Sequence, residues 1–244
     1  MPKFFFKKEQ IDGDMIYIKG EDANHIANVL RAKENDEIII CDGEGTDHLC
    51  TIVSIDKKSV TARIKEKIKN ENEPETKITL YQGIAKGERM DIAIQKCVEI
   101  GVSRIVPVIT EHTVVKLSGK EEKKVERWNK ISESAAKQCG RGIIPKVENI
   151  AQFKDAVKEA KESGYGIIPY ENEDTVSMRD IVKDIKEKNI NIFIGPEGGF
   201  SESEIEYAKE NSLKTVTLGK RILRTETAGL VASVILLYEL EDKR

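Results

Sequence analysis

The chain has 244 residues, of which 39% are apolar and 34% charged, a balance that fits one or two ordinary globular domains. A chain of this length buries enough surface to form a core without disulfides or metals. Forty Lys+Arg against 43 Asp+Glu give a formal charge of −3, which excludes attachment to nucleic acid by overall positive charge and leaves room for a local basic patch. The longest apolar run, Ala228 to Tyr238, is interrupted by Gly229 and Ser233 and falls well short of the roughly 20 residues of a spanning helix. Phe4-Phe5-Phe6, followed at once by Lys7-Lys8, is too short for a signal-peptide core, so a cytoplasmic protein is expected. Cys41, Cys50, Cys97 and Cys139 are scattered, and with only His25, His48 and His112 as partners they lack metal-site spacing; reduced thiols and no metal are expected.

In chain order, the first 68 residues read as short strands at Met15–Ile18, Glu37–Cys41, His48–Ile55 and Ser59–Ile64. Turn signals separate them at Asp12-Gly13-Asp14, Asp42-Gly43-Glu44-Gly45 and Asp56-Lys57-Lys58-Ser59. Ala23, Ile26, Ala27 and Leu30 recur at helical spacing between the first two strands. The polar stretch Lys69 to Lys77 reads as a linker. Strands and helices then alternate. Strands are expected at Ile78–Ile84, Arg104–Ile109, Tyr165–Pro169, Ile190–Ile194 and Thr215–Leu218. Helices are marked by Met90, Ile94, Cys97, Val98 and Gly101, by Val125, Trp128, Ala135 and Cys139, and across Ala151–Ser163, Met178–Lys188, Ser201–Asn211 and Thr225 onward. Such alternation predicts a parallel sheet covered on both faces, with any ligand site beyond the carboxyl ends of its strands.

Three loops follow apolar strands there. Ile194-Gly195-Pro196-Glu197-Gly198-Gly199-Phe200 runs into a Ser201/Glu204 capping box, and its glycines permit close approach of main chain to a ligand. It matches neither the dinucleotide nor the P-loop fingerprint. In Leu218-Gly219-Lys220-Arg221-Ile222-Leu223-Arg224, two arginines precede a helix for which Thr225 is the expected N-cap; cations are unfavourable at that end of a helix dipole, and such departures tend to mark sites. The third loop, Pro169-Tyr170-Glu171, carries no signal by itself. The final helix is apolar nearly all round (Leu230, Val231, Val234 to Leu237) and requires burial in a core or a subunit interface. Lys86, Arg89 and Lys96 are expected on one basic face of the helix after the linker, with Gln138 and Arg141 extending it.

These segments together resemble a known family. Gly87-Glu88-Arg89-Met90-Asp91 with Gln95-Lys96 and Glu99-Ile100-Gly101-Val102, the Ile194–Ser201 loop, Leu218-Gly219 with Arg221-Ile222-Leu223-Arg224 and Glu226-Thr227-Ala228, and His25 with Val29-Leu30-Arg31 are similar to motifs of the RsmE-type ribosomal RNA small-subunit methyltransferases of the SPOUT (α/β-knot) superfamily. Ile100 stands where Leu is usual, and Cys139-Gly140 separates Gln138 from Arg141.

The resemblance implies a PUA-like RNA-binding barrel at 1–70 and an α/β methyltransferase domain with a trefoil knot at 71–244. It further implies a homodimer through the C-terminal helix, S-adenosylmethionine as cofactor, and methylation of N3 of a uridine in 16S rRNA. Cofactor contacts are expected from Pro169, Tyr170, Glu171, Ile194, Gly195, Pro196, Gly198, Gly199, Leu218, Gly219, Ile222, Leu223, Thr227 and Ala228. Arg224 is the expected anion stabiliser, with Glu197 (or Glu226) assisting proton removal. Arg31, Lys86, Arg89, Arg141 and Arg221 are the expected RNA contacts. The alternatives are a SPOUT methyltransferase of another RNA nucleotide and a non-catalytic RNA-binding ribosome-assembly factor.

Overall fold

The computed structural model describes residues 3–56, 58–114, 119 and 121–241. Lys57 of the Asp56–Ser59 turn, and residues 242–244 at the end of the expected last helix, lie outside them. The chain divides into two compact units, 1–73 with 136–144, and 74–135 with 145–244. The expected contiguous division at residue 70 differs by leaving 71–73 and 136–144 in the second unit.

The first unit holds β1 (Lys3–Phe5), β2 (Ile11–Asp12), β3 (Met15–Lys19), β4 (Glu37–Cys41), β5 (Thr46–Ile55) and β6 (Ser59–Lys69), in the order β1-β4-β5-β6-β3-β2. All pairs are antiparallel except β1 with β4. Register shifts at Leu49/Cys50 and Ile52/Ser54 bend the long β5–β6 ribbon. Alternate residues from the strands meet in one core: Phe4, Ile16, Ile18, Ile38, Ile40, Cys50, Ile52, Val60 and Ala62 are all buried. Ala23 and Ile26 join it from a short helix, α1 (Glu21–Asn24), which widens into a π-helical turn over His25–Val29; Val29 and Leu30 stay exposed. Phe4 and Phe5 thus lie in a buried strand, absent from the sequence expectation, and Phe6 is buried just after it.

The expected linker is fixed by its own polar side chains. Asn70 donates to Asp47 Oδ2 (2.8 Å), and the half-buried Glu73 carboxylate accepts from Arg141 Nη2 (2.6 Å) and from the amides of Gly142 (3.0 Å) and Ile143 (3.1 Å). In the second unit, the amides of Glu75 and Thr76 bond the Glu241 carboxylate.

The second unit is built on a parallel sheet, β10-β8-β7-β12-β11-β13 with β9 also beside β8. Its strands are β7 (Lys77–Gly83), β8 (Arg104–Ile109), β9 (Lys146–Val147), β10 (Ala151–Gln152), β11 (Tyr165–Pro169), β12 (Asn189–Ile194) and β13 (Lys214–Val216). Its helices are α2 (Glu88–Ile100), α3 (Glu121–Cys139, whose last turn counts with the first unit), α4 (Phe153–Ser163), α5 (Met178–Val182), α6 (Glu202–Glu210) and α7 (Thr225–Leu240). Ala151 and Gln152, expected as the start of a helix, instead pair with Val108 and Ile109, and α5 stops six residues before the expected Lys188.

On one face of the sheet, α4 and α6 cover Tyr81 and Phe193, whose rings stack 4.4 Å apart. On the other, α7 crosses β7 and β12 and lies against α2. Gly229 lies in that contact, where a Cβ would stand at ordinary van der Waals distance, 3.4 Å from Gln82 Oε1 and 3.6 Å from Leu80 Cδ1. The alternating strands and two-sided helix cover are those expected, and the central strands β7 and β12 are separated by more than a hundred residues yet paired along six positions.

Candidate active site

Strands β12, β11 and β13 are neighbours, so the loops leaving their carboxyl ends must emerge side by side. Residues 169–174, 194–200 and 217–228 enclose a common cleft of about 880 Å³, which lies in the range of small-molecule sites. Main-chain bonds tie the loops together: Tyr170 N–H donates to Val216 O, and Thr217 N–H to Val176 O. Glu173 braces the first loop, accepting from the Thr175 hydroxyl (2.5 Å), the Thr215 hydroxyl (2.8 Å) and the amides of Thr175 and Val176; these bonds hold its carboxyl down to about 2.

The glycine loop is shaped for close approach. Gly199 takes φ +67°, and a Cβ there would meet Glu171 Oε1 at 2.6 Å. The Gly199 amide closes a turn onto Pro196 O (3.0 Å), and Gly198 O meets His112 Nδ1 at 2.8 Å. Ser201 caps α6 with Glu204 in the expected capping box.

Every expected cofactor residue except Thr227 lines the cleft, and so do Arg224, Glu197, Arg89, Arg221 and Glu226. Arg224 occupies the N-cap of α7 with no side-chain cap, which displaces the expected cap, Thr225, into the first helical position. Thr225 is buried there, accepting from Gln82 Nε2 (2.8 Å) and donating to Gly195 O (2.6 Å). Neither Gln82 nor Thr225 was a site candidate. A lone amide in an apolar strand was the available signal, but its partner lies 143 residues away.

Three basic residues differ from expectation. Lys86 precedes α2 instead of lying on it; its amide donates to Glu197 Oε1 (3.0 Å). Arg89 Nη1 binds the same oxygen at 2.7 Å. Partial burial pushes the Glu197 carboxyl up, but the amides of Lys86 and Glu197 and the Arg89 guanidinium together hold it below the usual carboxylate range. Arg141 is 3% exposed, with its guanidinium committed to Glu73; its place as an RNA contact is withdrawn because no face of it is free for phosphate. Arg31 is exposed, with a left-handed φ of +54°.

The cleft offers both apolar and charged contacts. Ile194, Leu218, Leu223 and Ala228 offer apolar contact, and Ile222 leaves 88% of its surface exposed at the rim. Glu226 Oε2 is buried without a hydrogen-bond partner among the described residues.

The comparisons with known proteins fit this arrangement. A model of the RNA methyltransferase domain matches residues 71–237, and a model of the RNA methyltransferase PUA domain matches 18–65. The chain is 34% identical to ribosomal RNA small subunit methyltransferase E of Bacillus subtilis (strain 168), over 99% of this chain and 98% of the relative. The chain belongs to the ribosomal RNA small subunit methyltransferase E family. A Mesomycoplasma hyopneumoniae (strain 232) member is 37% identical over 94% of this chain and 96% of its own. The crystal structure of a methyltransferase E from Neisseria gonorrhoeae, bound to S-adenosyl methionine, superposes with a TM-score of 0.90 at 34% identity, covering both chains completely. Family membership identifies the first unit's sheet as PUA-like and the second as the α/β methyltransferase fold. The strand order, with α7 packed across β7 and β12, is consistent with the family's knotted C-terminus. Among the described residues no helix is long and apolar enough to cross a membrane.

Proposed function

We propose that this chain transfers a methyl group from S-adenosylmethionine to N3 of a uridine in small-subunit ribosomal RNA, acting in the cytoplasm as a homodimer. The observation that carries this reading is the convergence of three strand-end loops on a glycine-lined cleft with Arg224 at its edge. Bound there, S-adenosylmethionine supplies an electrophilic methyl on a sulfonium sulfur. Gly195, Gly198, Gly199 and Gly219 let main-chain amides and carbonyls meet a nucleoside, while Ile222 and Leu223 cover its apolar parts. Glu171, at the Gly199 main chain, is placed to accept from ribose hydroxyls.

Uracil N3 carries a proton at neutral pH, so alkylation requires its removal and a counter-charge for the anion that results. Arg224 supplies the counter-charge by donating toward a uracil oxygen. Of the two glutamates, Glu197 is occupied by Arg89 and the Lys86 amide, which favours an orienting role. Glu226 lines the cleft and is bound to no cation among the described residues, which makes it the better proton acceptor.

Arg31, Arg89, Arg221 and Lys86 are proposed to meet RNA phosphates. The apolar residues Val234 and Tyr238 on α7 and Ile92 on α2, all exposed, form the proposed dimer face. A methylation assay on naked 16S rRNA and on assembled small subunits, with the product mapped by nuclease digestion and mass spectrometry, tests the reading. Methyl on uracil N3 is expected. Methyl on a ribose or another base redirects the specificity, and no transfer to either substrate contradicts an enzyme role.

A further inference from the structure

We infer that Thr225, backed by Gln82, is a positioning residue that holds the glycine loop of the cleft against the start of α7 through a buried two-bond relay from β7. The inference deepens the methyl-transfer reading and rests on it for its kinetic arm only.

Gln82 is fully buried in β7 between Tyr81 and Gly83, an environment in which an amide is costly unless hydrogen-bonded. Its Nε2 donates to Thr225 Oγ1 (2.8 Å) and to Gly83 O (3.1 Å), while Oε1 has no partner among the described residues. A strand that needed only packing would hold an apolar side chain here, so the retained polar cost marks a role beyond packing. Because Gln82 donates to it, the Thr225 hydroxyl turns its own proton to Gly195 O, 2.6 Å away.

The relay joins three elements: the end of β7, the loop after β12 and the first turn of α7. Steric contact reinforces it, since a Cβ on Gly83 would meet Pro196 N at 2.6 Å and Gly195 C at 2.9 Å. Gly195 lines the cleft, and so do Thr225 and its neighbours Arg224 and Glu226. The placing of the glycine loop against the start of α7 is therefore set by Thr225 Oγ1, a group that must accept and donate at once. Only a hydroxyl meets that requirement at this size.

The test compares Thr225→Val, which keeps the shape and removes both bonds, with Thr225→Ser, which keeps both bonds and removes a methyl, and with Gln82→Met, which removes only the first donor. For Thr225→Val we expect kcat lower by about 10–100-fold and cofactor Kd higher by about 10-fold, as for catalytic groups displaced by a fraction of an ångström. Thr225→Ser should stay within about threefold of wild type in both, and Gln82→Met should fall between them. In the cofactor-free protein, amide exchange of a peptide spanning 194–200 should quicken in Thr225→Val and Gln82→Met but not in Thr225→Ser. Wild-type behaviour of Thr225→Val, or equal loss in Thr225→Ser at equal thermal stability, overturns the relay. If Thr225→Val does not fold, Gln82→Met with unchanged exchange and kinetics overturns it equally. A wild-type protein that fails to bind S-adenosylmethionine contradicts the functional reading instead, and the exchange measurement still decides the relay.

Discussion

Arg89 Nη1 and Glu197 Oε1 lie 2.7 Å apart, so the cation expected to meet RNA and the carboxylate expected to assist catalysis are each other's partners. A carboxylate held in this way is a poor proton acceptor and a good orienting group. Glu197→Gln should therefore lower kcat less than about tenfold, whereas loss of a true general base costs about 10²–10⁴-fold. Steady-state kinetics at saturating cofactor make the distinction. Glu226→Gln is expected to show the larger loss.

Arg224 bears the opposite expectation. Arg224→Ala should cost about 10²–10³-fold in kcat, the usual effect of removing one oxyanion donor, with cofactor Kd nearly unchanged. Calorimetry and single-turnover rates measure the two separately. Retention of near-full turnover would remove the anion-stabilising role.

The Arg141–Glu73 pair predicts a change in stability and none in RNA contact. Arg141→Ala leaves a half-buried carboxylate without its cation, so a loss of about 3–5 kcal/mol is expected in denaturant unfolding. The salt dependence of RNA binding should keep its slope in that variant, while Arg31→Ala should flatten it by about one counterion. Equal flattening in both would restore Arg141 to the RNA surface.

Glu173 gives a pH dependence. Its carboxyl is held down to about 2 by the hydroxyls of Thr175 and Thr215 and the amides of Thr175 and Val176. A depressed carboxyl contributes stability that is fully present above its unfolded value near 4.5 and is lost as pH falls toward the folded value. The stability difference between wild type and Glu173→Gln should thus be constant from pH 7 to about 5 and vanish toward pH 2. Unfolding midpoints across that range check it; a difference that grows on acidification contradicts the bracing role.

His112 Nδ1 pins the Gly198–Gly199 peptide from one side while the Gly199 amide pins it from the other. His112→Ala should raise cofactor Kd about threefold to tenfold, in keeping with one hydrogen bond, and His112→Asn should recover most of it. Identical affinities in all three proteins would show that the peptide holds its orientation without the imidazole.

What the sequence reveals and hides follows from the range of the interactions. The strands Glu37–Cys41, Arg104–Ile109 and Tyr165–Pro169 are legible to the residue because turn signals and apolar runs are local. The Gly195 and Leu218 loops are legible because backbone freedom is written in the glycines themselves. Arg141 misleads because its partner, Glu73, sits 68 residues earlier in a stretch whose composition reads as linker. Thr225 misleads because local capping rules place it one position too early, while its hydroxyl answers to Gln82 and Gly195. Ala151–Gln152 misleads because edge pairing with β8 overrides a helical pattern.

The central claim is that the loops after β11, β12 and β13 jointly hold S-adenosylmethionine. A crystal structure of the wild-type chain grown with it tests that claim most directly. Density for the adenosine bounded by Tyr170, Gly198 and Gly219, with the methyl directed toward the Arg224 side, is the predicted result. Saturable binding in solution with the ligand seated elsewhere in the crystal would contradict it.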